Sequence, residues 1–342
     1  MTGLVPADAP VAARTPAATP DQLEPYRREL TGFCYRMLGS IYDAEDAVQE
    51  VMVRAWRALD RFDGRSSLRS WLYRIATNVC FDSLDGTRRR ALPMDLSPAA
   101  SPPVEASLGE KLGDPTWLGP APDERVLPDS GDPADVAVAR ESVRLAFVAA
   151  LQELPPRQRA VLILREVLRW RAEEVATLLG STVASVNSAL QRARATLANG
   201  AATRGSSAPD PLDPEHAALL DRYVRAFEAY DIEELVRLLH ADATQSMPPW
   251  ALWLSGPVDI GLWHVGPGGA CRGSRLVRVD ANGSPAFAQY KPSAVAGRLE
   301  PWAIHVLEIR DARISSITNF VDTRLFAAFG LPDHLDVTDA PA

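Results

Sequence analysis

The chain has 342 residues, of which 23% are charged, and its formal net charge at pH 7 is -8. This length allows two or three domains. Three cysteines, Cys34, Cys80 and Cys271, lie far apart with no histidine at ligand spacing, so we expect reduced thiols in a cytoplasmic protein, with no metal or cofactor. No run of about eighteen apolar residues occurs in the sequence, so we expect neither a signal peptide nor a membrane partner.

The negative charge is unevenly distributed along the chain. Residues 21–92 hold 12 basic and 11 acidic residues, and residues 140–199 hold 9 and 5. Residues 93–139 hold 2 basic and 9 acidic residues, and residues 200–342 hold 12 and 18. The overall acidity therefore does not exclude nucleic-acid binding by the first and third segments.

The N-terminal part begins with a tail and continues into a helical domain. Residues 1–20 are rich in Ala, Pro and Thr, which predicts disorder. Apolar spacing then predicts three helices in residues 21–92: one that ends before Gly39, one over about 44–59, and one after Gly64.

The second of these helices carries an acidic face. Asp43, Asp46 and Glu50 recur at three- and four-residue steps, and Gln49 lies beside them. A solvated acidic face near a helix N-terminus is the simplest interpretation, since it complements the helix dipole. The alternative is a docking surface for a basic partner helix.

The loop and helix that follow combine aromatic, hydroxyl and charged side chains. Stacking and hydrogen bonds to the Watson–Crick edge are what an unpaired base needs from a protein, and side chains of these types can provide both. A tryptophan in such a helix is by itself more often a core residue than a wedge. The residues with this potential are Phe62, Ser66, Ser67, Trp71, Arg74, Asn78 and Asp82.

Residues 93–139 read as an acidic, proline-rich linker. They contain many prolines and no sustained apolar period, which predicts a connection without a core of its own. A solvated tether and an acidic mimic of nucleic acid both remain open.

Residues 140–199 carry three successive blocks of helical apolar spacing. Gly180 stands where a left-handed residue would end the second helix, and Thr182 follows as an N-cap for the third. The pattern predicts a helix-turn-helix, with a plain helical hairpin as the alternative. The third helix directs small polar, amide and arginine side chains outward, as base and phosphate recognition requires. These residues are Thr182, Ser185, Asn187, Ser188, Gln191, Arg192 and Arg194.

The order of residues here resembles extracytoplasmic-function (ECF) sigma factors. LPPRQRAVLIL followed by EEVATLLGSTVASVNSALQRARATL resembles their region 4, and DAEDAVQEVMVRAW with RFDGRSSLRSW resembles their region 2. The resemblance implies that the acidic face binds the coiled coil of the largest polymerase subunit. It also implies that region 2 captures the minus-ten element, that region 4 reads the minus-thirty-five element beside the polymerase flap, and that the linker threads toward the RNA exit path.

A second linker over 200–212 leads to a C-terminal segment over 213–330, followed by a tail over 331–342. Two helices and then alternating strands, with turns at Asn282-Gly283 and Asp311, predict an α+β cone. The passage LVRLLHADATQSMPPW resembles SnoaL-like domains.

Some SnoaL-like relatives are enzymes that use a His/Asp pair, which makes Asp242, His264 and His305 the catalytic candidates. No pair among them has a spacing that identifies a reaction, so we expect no catalysis. Tryptophans in such a cone are ordinary packing residues or walls of a ligand pocket. The pocket candidates are Trp250, Trp253, His264 and Trp302, and Trp263 is a further possible wall.

The sequence thus predicts a multidomain protein: two all-α sigma domains, a region 2 helical bundle and a region 4 helix-turn-helix, plus a C-terminal α+β SnoaL-like cone. The expected function is that of a bacterial sigma factor that directs core polymerase to promoter DNA and initiates transcription, with the cone regulating it in cis. The alternative is a bifunctional sigma factor whose cone is a small-molecule enzyme or ligand sensor, which leaves a small-molecule ligand as a candidate partner. A helix-turn-helix repressor with a sensor domain is disfavoured, because it does not need the motifs of residues 43–90.

Overall fold

The computed structural model describes most of the chain. The described residues are 20–87, 89–113, 116–128, 132–201 and 214–337. Residues 1–19 of the predicted disordered tail over 1–20, most of the second linker and residues 338–342 lie outside them.

Three helices form the N-terminal helical domain: α1 (Arg27–Leu38), α2 (Ile41–Ala58) and α3 (Leu68–Leu84). Gly39 ends α1 in the left-handed conformation, as predicted. The second helix begins three residues before the predicted start, because the Ser40 side chain accepts a hydrogen bond from a backbone N–H of its first turn.

Parts of the connecting segment, residues 93–139, pack against the domains, and most of its other described residues are exposed or half-buried. Trp117 and Leu118 are buried, and the backbone of Ala91 pairs with that of Trp117. The many prolines remove helical periodicity, but they leave apolar side chains that fill the space between domains. Its helices are α4 (Pro93–Leu96), α5 (Asp123–Val126) and α6 (Pro133–Glu141), with a 3-10 turn over Glu105–Leu108.

The helix-turn-helix domain follows. Gly180 has φ 56°, and the Ser185 N–H donates to Thr182 Oγ1 at 3.1 Å, so the predicted turn and cap are both confirmed. Its helices are α7 (Leu145–Gln152), α8 (Pro156–Leu162, with a π turn over Ile163–Val167), α9 (Ala172–Leu178) and α10 (Val183–Ala201).

The cone pairs three longer helices with a curved seven-stranded sheet, and both predicted turns are present, at Asn282 and at Asp311. The strand order is β2-β1-β6-β5-β4-β3, with β7 paired to β5; β1 and β6 are parallel and the other pairs antiparallel. The helices are α11 (Pro214–Ala229), α12 (Ile232–Leu238), α13 (Pro257–Val265) and α14 (Leu325–Ala328). The strands are β1 (Leu239–Ser246), β2 (Trp253–Ser255), β3 (Arg275–Ala281), β4 (Ser284–Pro292), β5 (Arg298–Arg310), β6 (Arg313–Phe320) and β7 (Leu335–Asp336).

Strand alternation divides the apolar side chains between two cores. On β5, Ile304 and Val306 belong to a core shared with both helical domains, whereas Leu307 and Ile309 belong to the interior of the cone. One face of the sheet is therefore the platform on which the helical domains pack, and the other encloses the cone interior.

Candidate functional site

The outward face of α10 presents the predicted base-reading side chains to solvent. Thr182 caps the helix, and Arg194 Nη2 lies 2.7 Å from Glu166 Oε1 in an ion pair on the surface. Val186 and Leu190 are buried on the opposite face. The exposed residues of the predicted set are Thr182, Ser185, Asn187, Ser188, Gln191, Arg192 and Arg194.

The predicted strand-capture residues lie on the loop before α3 and along α3. Phe62 packs against Trp71, with ring centroids 5.2 Å apart, so Trp71 is partly a packing residue. Ser67 has a local task, since its Oγ accepts from the Ser70 N–H at 3.1 Å and caps α3. Of the remaining members of the set, Ser66 is half-buried, and Arg74, Asn78 and Asp82 are exposed.

The acidic face of α2 is only partly free. Asp46 and Gln49 are exposed, and Glu50 pairs with Arg54 at 2.7 Å. Asp43 accepts a hydrogen bond from Arg90, which leaves it half-buried beside the connecting segment. The exposed part of this face therefore centres on Asp46, Gln49 and Glu50.

The two helical domains are in direct contact. The tilted rings of Tyr73 and Trp170 pack with centroids 5.1 Å apart, and the Arg69 guanidinium lies 5.3 Å from the centre of the Trp170 ring. The Arg74 side chain on α3 donates to the Thr177 carbonyl on α9 at 3.5 Å. A helix predicted to contact the minus-ten element thus touches the first helix of the helix-turn-helix.

A buried arginine on α8 also links the two helical domains. Arg159 donates to the Gln152 side chain at 2.7 Å and to the Met37 carbonyl on α1. Burial lowers the pKa of Arg159 to about 10, so the group stays charged at neutral pH.

One asparagine of the cone joins all the other parts of the chain. The side chain of Asn282 is completely buried; its Nδ2 donates to Tyr35 Oη at 2.5 Å and to the Val143 carbonyl at 2.6 Å. Its Oδ1 accepts from the Ala121 N–H at 2.9 Å. The turn between β3 and β4 therefore binds the N-terminal helical domain, the connecting segment and the start of the helix-turn-helix domain at once.

The next residue needs to be glycine. Gly283 has φ 63°, and a Cβ there would lie 2.5 Å from Arg140 Cγ and 2.7 Å from the Arg140 carbonyl oxygen. Its N–H donates to Asp123 Oδ1 at 2.7 Å. Burial raises the pKa of Asp123 to about 6, although the Gly283 N–H opposes the shift.

A buried ion pair reinforces this junction. Arg144, at the start of α7, is 1% exposed and pairs with Glu308 on β5, which is 9% exposed. The pair joins the start of α7 to the sheet, and removal of one partner alone would leave the other charge buried without it.

The interior of the cone contains a cavity of about 210 Å³. Trp250, His264 and Trp302 line it as predicted, and Trp263 lines it too. The prediction is wrong for Trp253, whose side chain lies on the edge strand β2 and donates to the Ser97 carbonyl at 3.0 Å, outside the cavity lining.

The three catalytic candidates do not lie together in one site. Asp242 is an exposed surface residue 3.4 Å from Arg310, away from the cavity that His264 and His305 line. His305 uses both ring nitrogens in hydrogen bonds, to Tyr223 Oη at 3.0 Å and to Gln289 Oε1 at 2.9 Å. Burial lowers the pKa of His305 to about 3 and that of His264 to about 4, so both rings are neutral at pH 7.

Sequence reasoning missed the residues that join the domains. Asn282 was identified only as a turn former, and nothing marked Arg144 or Glu308, since a lone charged residue at a helix start or in a strand has no distinguishing pattern. Within the described ranges, no helix is both long and apolar enough to cross a bilayer. The same part of the chain contains no group of three or more His, Cys, Asp or Glu side chains arranged to hold a metal ion.

Comparison with known proteins gives consistent matches over most of the chain. The Sigma-70 region 2 family model matches residues 23–90, and the Sigma-70, region 4 model matches residues 144–197. The ECF RNA polymerase sigma factor SigG of Mycobacterium tuberculosis H37Rv is 51% identical over 319 residues, which cover 91% of this chain and 83% of SigG. SigJ of the same strain is 32% identical over 224 residues, 65% of this chain and 62% of SigJ. The crystal structure of M. tuberculosis SigJ superposes with a TM-score of 0.58 at 22% identity and covers 91% of this chain and 99% of SigJ.

Proposed function

The chain belongs to the ECF RNA polymerase sigma factors of the sigma-70 family, and from that premise we propose that its SnoaL-like cone restrains the sigma factor in cis. As a member of this family it directs core polymerase to promoters, and its partners are the polymerase core and promoter DNA. The proposal concerns how the cone controls that activity.

The observation that carries the proposal is the buried position of Asn282 between all parts of the chain. Its three hydrogen bonds tie the cone to Tyr35 of the N-terminal helical domain, to Ala121 of the connecting segment and to Val143 next to the helix-turn-helix domain. With the ion pair between Arg144 and Glu308, these bonds favour one relative arrangement of the two DNA-binding domains.

That arrangement does not fit a promoter. Minus-ten and minus-thirty-five elements lie about 25 base pairs apart, which is about 85 Å of duplex at 3.4 Å per base pair. In this structure α3 and α9 are in contact through Arg74 and Thr177. Simultaneous binding of both elements therefore requires the domains to separate, and contacts made only in the closed arrangement oppose binding.

The surfaces proposed for the two partners remain accessible in the closed arrangement. We assign the exposed acids of α2, Asp46 and Glu50, to the basic coiled coil of the largest polymerase subunit. The exposed face of α10 is assigned to the minus-thirty-five element and to contacts beside the polymerase flap, and α3 with its preceding loop to the minus-ten element.

We favour a non-catalytic role for the cone over the enzymatic alternative. His305 has both nitrogens engaged and His264 is neutral with a pKa of about 4, so neither is poised as a general base near neutral pH. No carboxylate lies among the described residues that line the cavity. The cone is better suited to bind a ligand than to transform one.

The test compares two turns of the same cone. Asn282→Gly keeps the left-handed turn but removes the three buried hydrogen bonds, whereas Asp311→Gly makes the matched change at the exposed turn between β5 and β6. We expect Asn282→Gly to raise transcription from the promoter about 5- to 50-fold, since each lost buried bond weakens closure by about 1 kcal/mol. Asp311→Gly should behave like the unmodified chain.

A chain that ends at residue 199 provides the second arm of this test. If the unmodified chain, the Asn282→Gly variant and this truncated chain bind core and transcribe equally, cis restraint by the cone is wrong, and the enzymatic alternative gains support.

A further inference from the structure

A short stretch of the connecting segment contacts three different parts of the chain. Residues 121–126 consist of Ala121, Pro122 and the helix α5. They contact the acidic helix α2, helix α1 and the turn between β3 and β4 of the cone. A movement that starts on one side of this stretch therefore changes the contacts on the other two.

The side of α5 that faces α2 carries a basic group. Arg125 Nη1 lies 3.4 Å from Glu45 Oε1, and Arg125 Nε lies 3.8 Å from Glu124 Oε1 of α5 itself. Residues 93–139 contain only two basic residues, of which Arg125 is one. This acidic segment thus places one of its two cations on a carboxylate directly beside the exposed Asp46.

A groove runs between α5 and the exposed acids of α2. Its volume is about 550 Å³, with Glu45, Asp46 and Gln49 of α2 on one side and Arg125 of α5 on another. A basic helix that binds Asp46 and Gln49 lies along this groove. There it competes with Arg125 for Glu45, and the Arg125 guanidinium repels it. The exposed acids are open to the partner from the start, but complete docking requires α5 to move.

Close packing holds α5 against α1. Val126 is buried, and its carbonyl oxygen lies so near α1 that a Cβ at Gly32 would be 2.5 Å from it. A backbone approach of this kind needs a residue without a side chain. An alanine at position 32 would therefore push α5 away from α1 without changing any charge.

The same stretch also binds the cone. The Ala121 N–H donates to Asn282 Oδ1 at 2.9 Å, and the Asn282 N–H donates to the Ala121 carbonyl at 3.1 Å. The Gly283 N–H donates to Asp123 Oδ1 at 2.7 Å. Because Asp123 and Arg125 belong to one helical turn, α5 cannot leave α2 without moving Asp123. Displacement of α5 therefore disturbs the hydrogen bonds around Asn282.

We propose that residues 121–126 are a relay: the basic helix of core polymerase displaces α5 from α2, and the movement of α5 releases the junction at Asn282. Core binding then opens the closed arrangement. The two events are linked reciprocally, so a change that loosens α5 raises the affinity for core. The relay rests on the cis restraint and the docking surface proposed above, but it makes a claim of its own, namely that core binding loosens the turn between β3 and β4.

Hydrogen exchange of the full-length protein, alone and bound to core polymerase, measures the relay directly. The amides of Asn282 and Gly283 both donate to the relay stretch in the free protein. We expect them to exchange about tenfold faster in the complex, because their opening no longer has to break these bonds. The exposed turn at Asp311 is the internal control and should exchange at the same rate in both samples. Unchanged or slower exchange at Asn282 and Gly283 in the complex overturns the relay.

Two variants loosen α5 in different ways. Arg125→Ala removes the ion pair with α2, and Gly32→Ala places a methyl group against α5 with no change in charge. Each should raise the affinity for core about threefold to fivefold, since contacts of this size are weak. Arg222→Ala is the matched control, because Arg222 is 49% exposed against 48% for Arg125 and pairs with Glu234 on the cone. It should bind core like the unmodified protein.

The uncharged variant separates the relay from simple repulsion between Arg125 and a basic partner. Raised core affinity in Arg125→Ala but not in Gly32→Ala shows charge repulsion alone and overturns the relay, as does equal affinity in all four proteins. The exchange measurement needs no variant, so its result stands even if Gly32→Ala prevents folding.

The relay and the cis restraint can fail separately. If Asn282→Gly raises transcription while core binding leaves the exchange at the junction unchanged, the restraint stands and the relay is wrong. If core binding speeds this exchange while Asn282→Gly leaves transcription unchanged, the relay is supported and the restraint is wrong.

Discussion

Arg144 and Glu308 form a buried ion pair across the boundary between the helix-turn-helix domain and the cone. They are 164 positions apart in the sequence. Both side chains are buried where the start of α7 meets the sheet. The pair therefore joins a central strand of the cone to the first residues of the helix-turn-helix domain.

This ion pair should be strongly coupled. Arg144→Met and Glu308→Leu should each cost about 3–5 kcal/mol, because each removes the nearest opposite charge from a buried group, and the double variant should cost much less than the sum. Urea unfolding of the four proteins measures the coupling. The exposed pair of Arg194 and Glu166 serves as the control, and its coupling should stay below about 1 kcal/mol. Similar coupling energies for the two pairs would contradict the structural role given to Arg144.

The recognition helix should separate base reading from phosphate binding. Asn187→Ala or Gln191→Ala should cost about 1–3 kcal/mol at one or two positions of the minus-thirty-five element. Arg194→Ala should weaken all sequences alike and reduce the salt dependence by about one ion. Transcription from a promoter library at two salt concentrations measures both effects, and an unchanged sequence preference in the first two variants would show that this face does not read bases.

The exposed acids of α2 should be needed for core binding but not for folding. Reversal of Asp46 and Glu50 to Lys should abolish co-elution with core polymerase, since it replaces attraction to a basic helix with repulsion, while the helical circular dichroism stays unchanged. Asp60→Lys combined with Asp85→Lys, two exposed acids elsewhere in the same domain, should still co-elute. Loss of helical signal in the first variant would favour a purely structural role for these acids.

Stability should depend on pH through Asp123. Its pKa in the folded protein, about 6, lies above the unfolded value of about 3.9, so the folded state binds more protons between these values. The contribution of Asp123 is therefore full below about pH 4 and is lost as the pH rises through 6. Asp123→Asn should stabilise the protein at pH 7.5 by about 1–2 kcal/mol, with the gain vanishing near pH 4.5. Thermal unfolding between pH 4.5 and 8 measures this, and Asp221→Asn on the exposed surface should show no such trend.

The sequence by itself determined local features of the two sigma domains, namely helix ends, turns and the apolar faces of the predicted helices. The helix-turn-helix could be predicted from apolar spacing, from Gly180 and from Thr182, because caps and left-handed turns depend on residues a few positions apart. The hairpin turn at Asn282-Gly283 could be predicted for the same reason. The outward side chains of α10, such as Asn187 and Gln191, follow from helical periodicity alone.

Only the tertiary structure decided how these parts act on one another. It brings Asn282 to Tyr35, 247 positions away, and Arg144 to Glu308, 164 positions away. It also brings Leu108 of the connecting segment to the cavity of the cone. The composition of the connecting segment does not show which of its apolar residues pack, and Trp117 and Leu118 become buried because the surfaces of the neighbouring domains complement them. Long-range contacts depend on the fold of the whole chain, and local sequence patterns do not specify that fold.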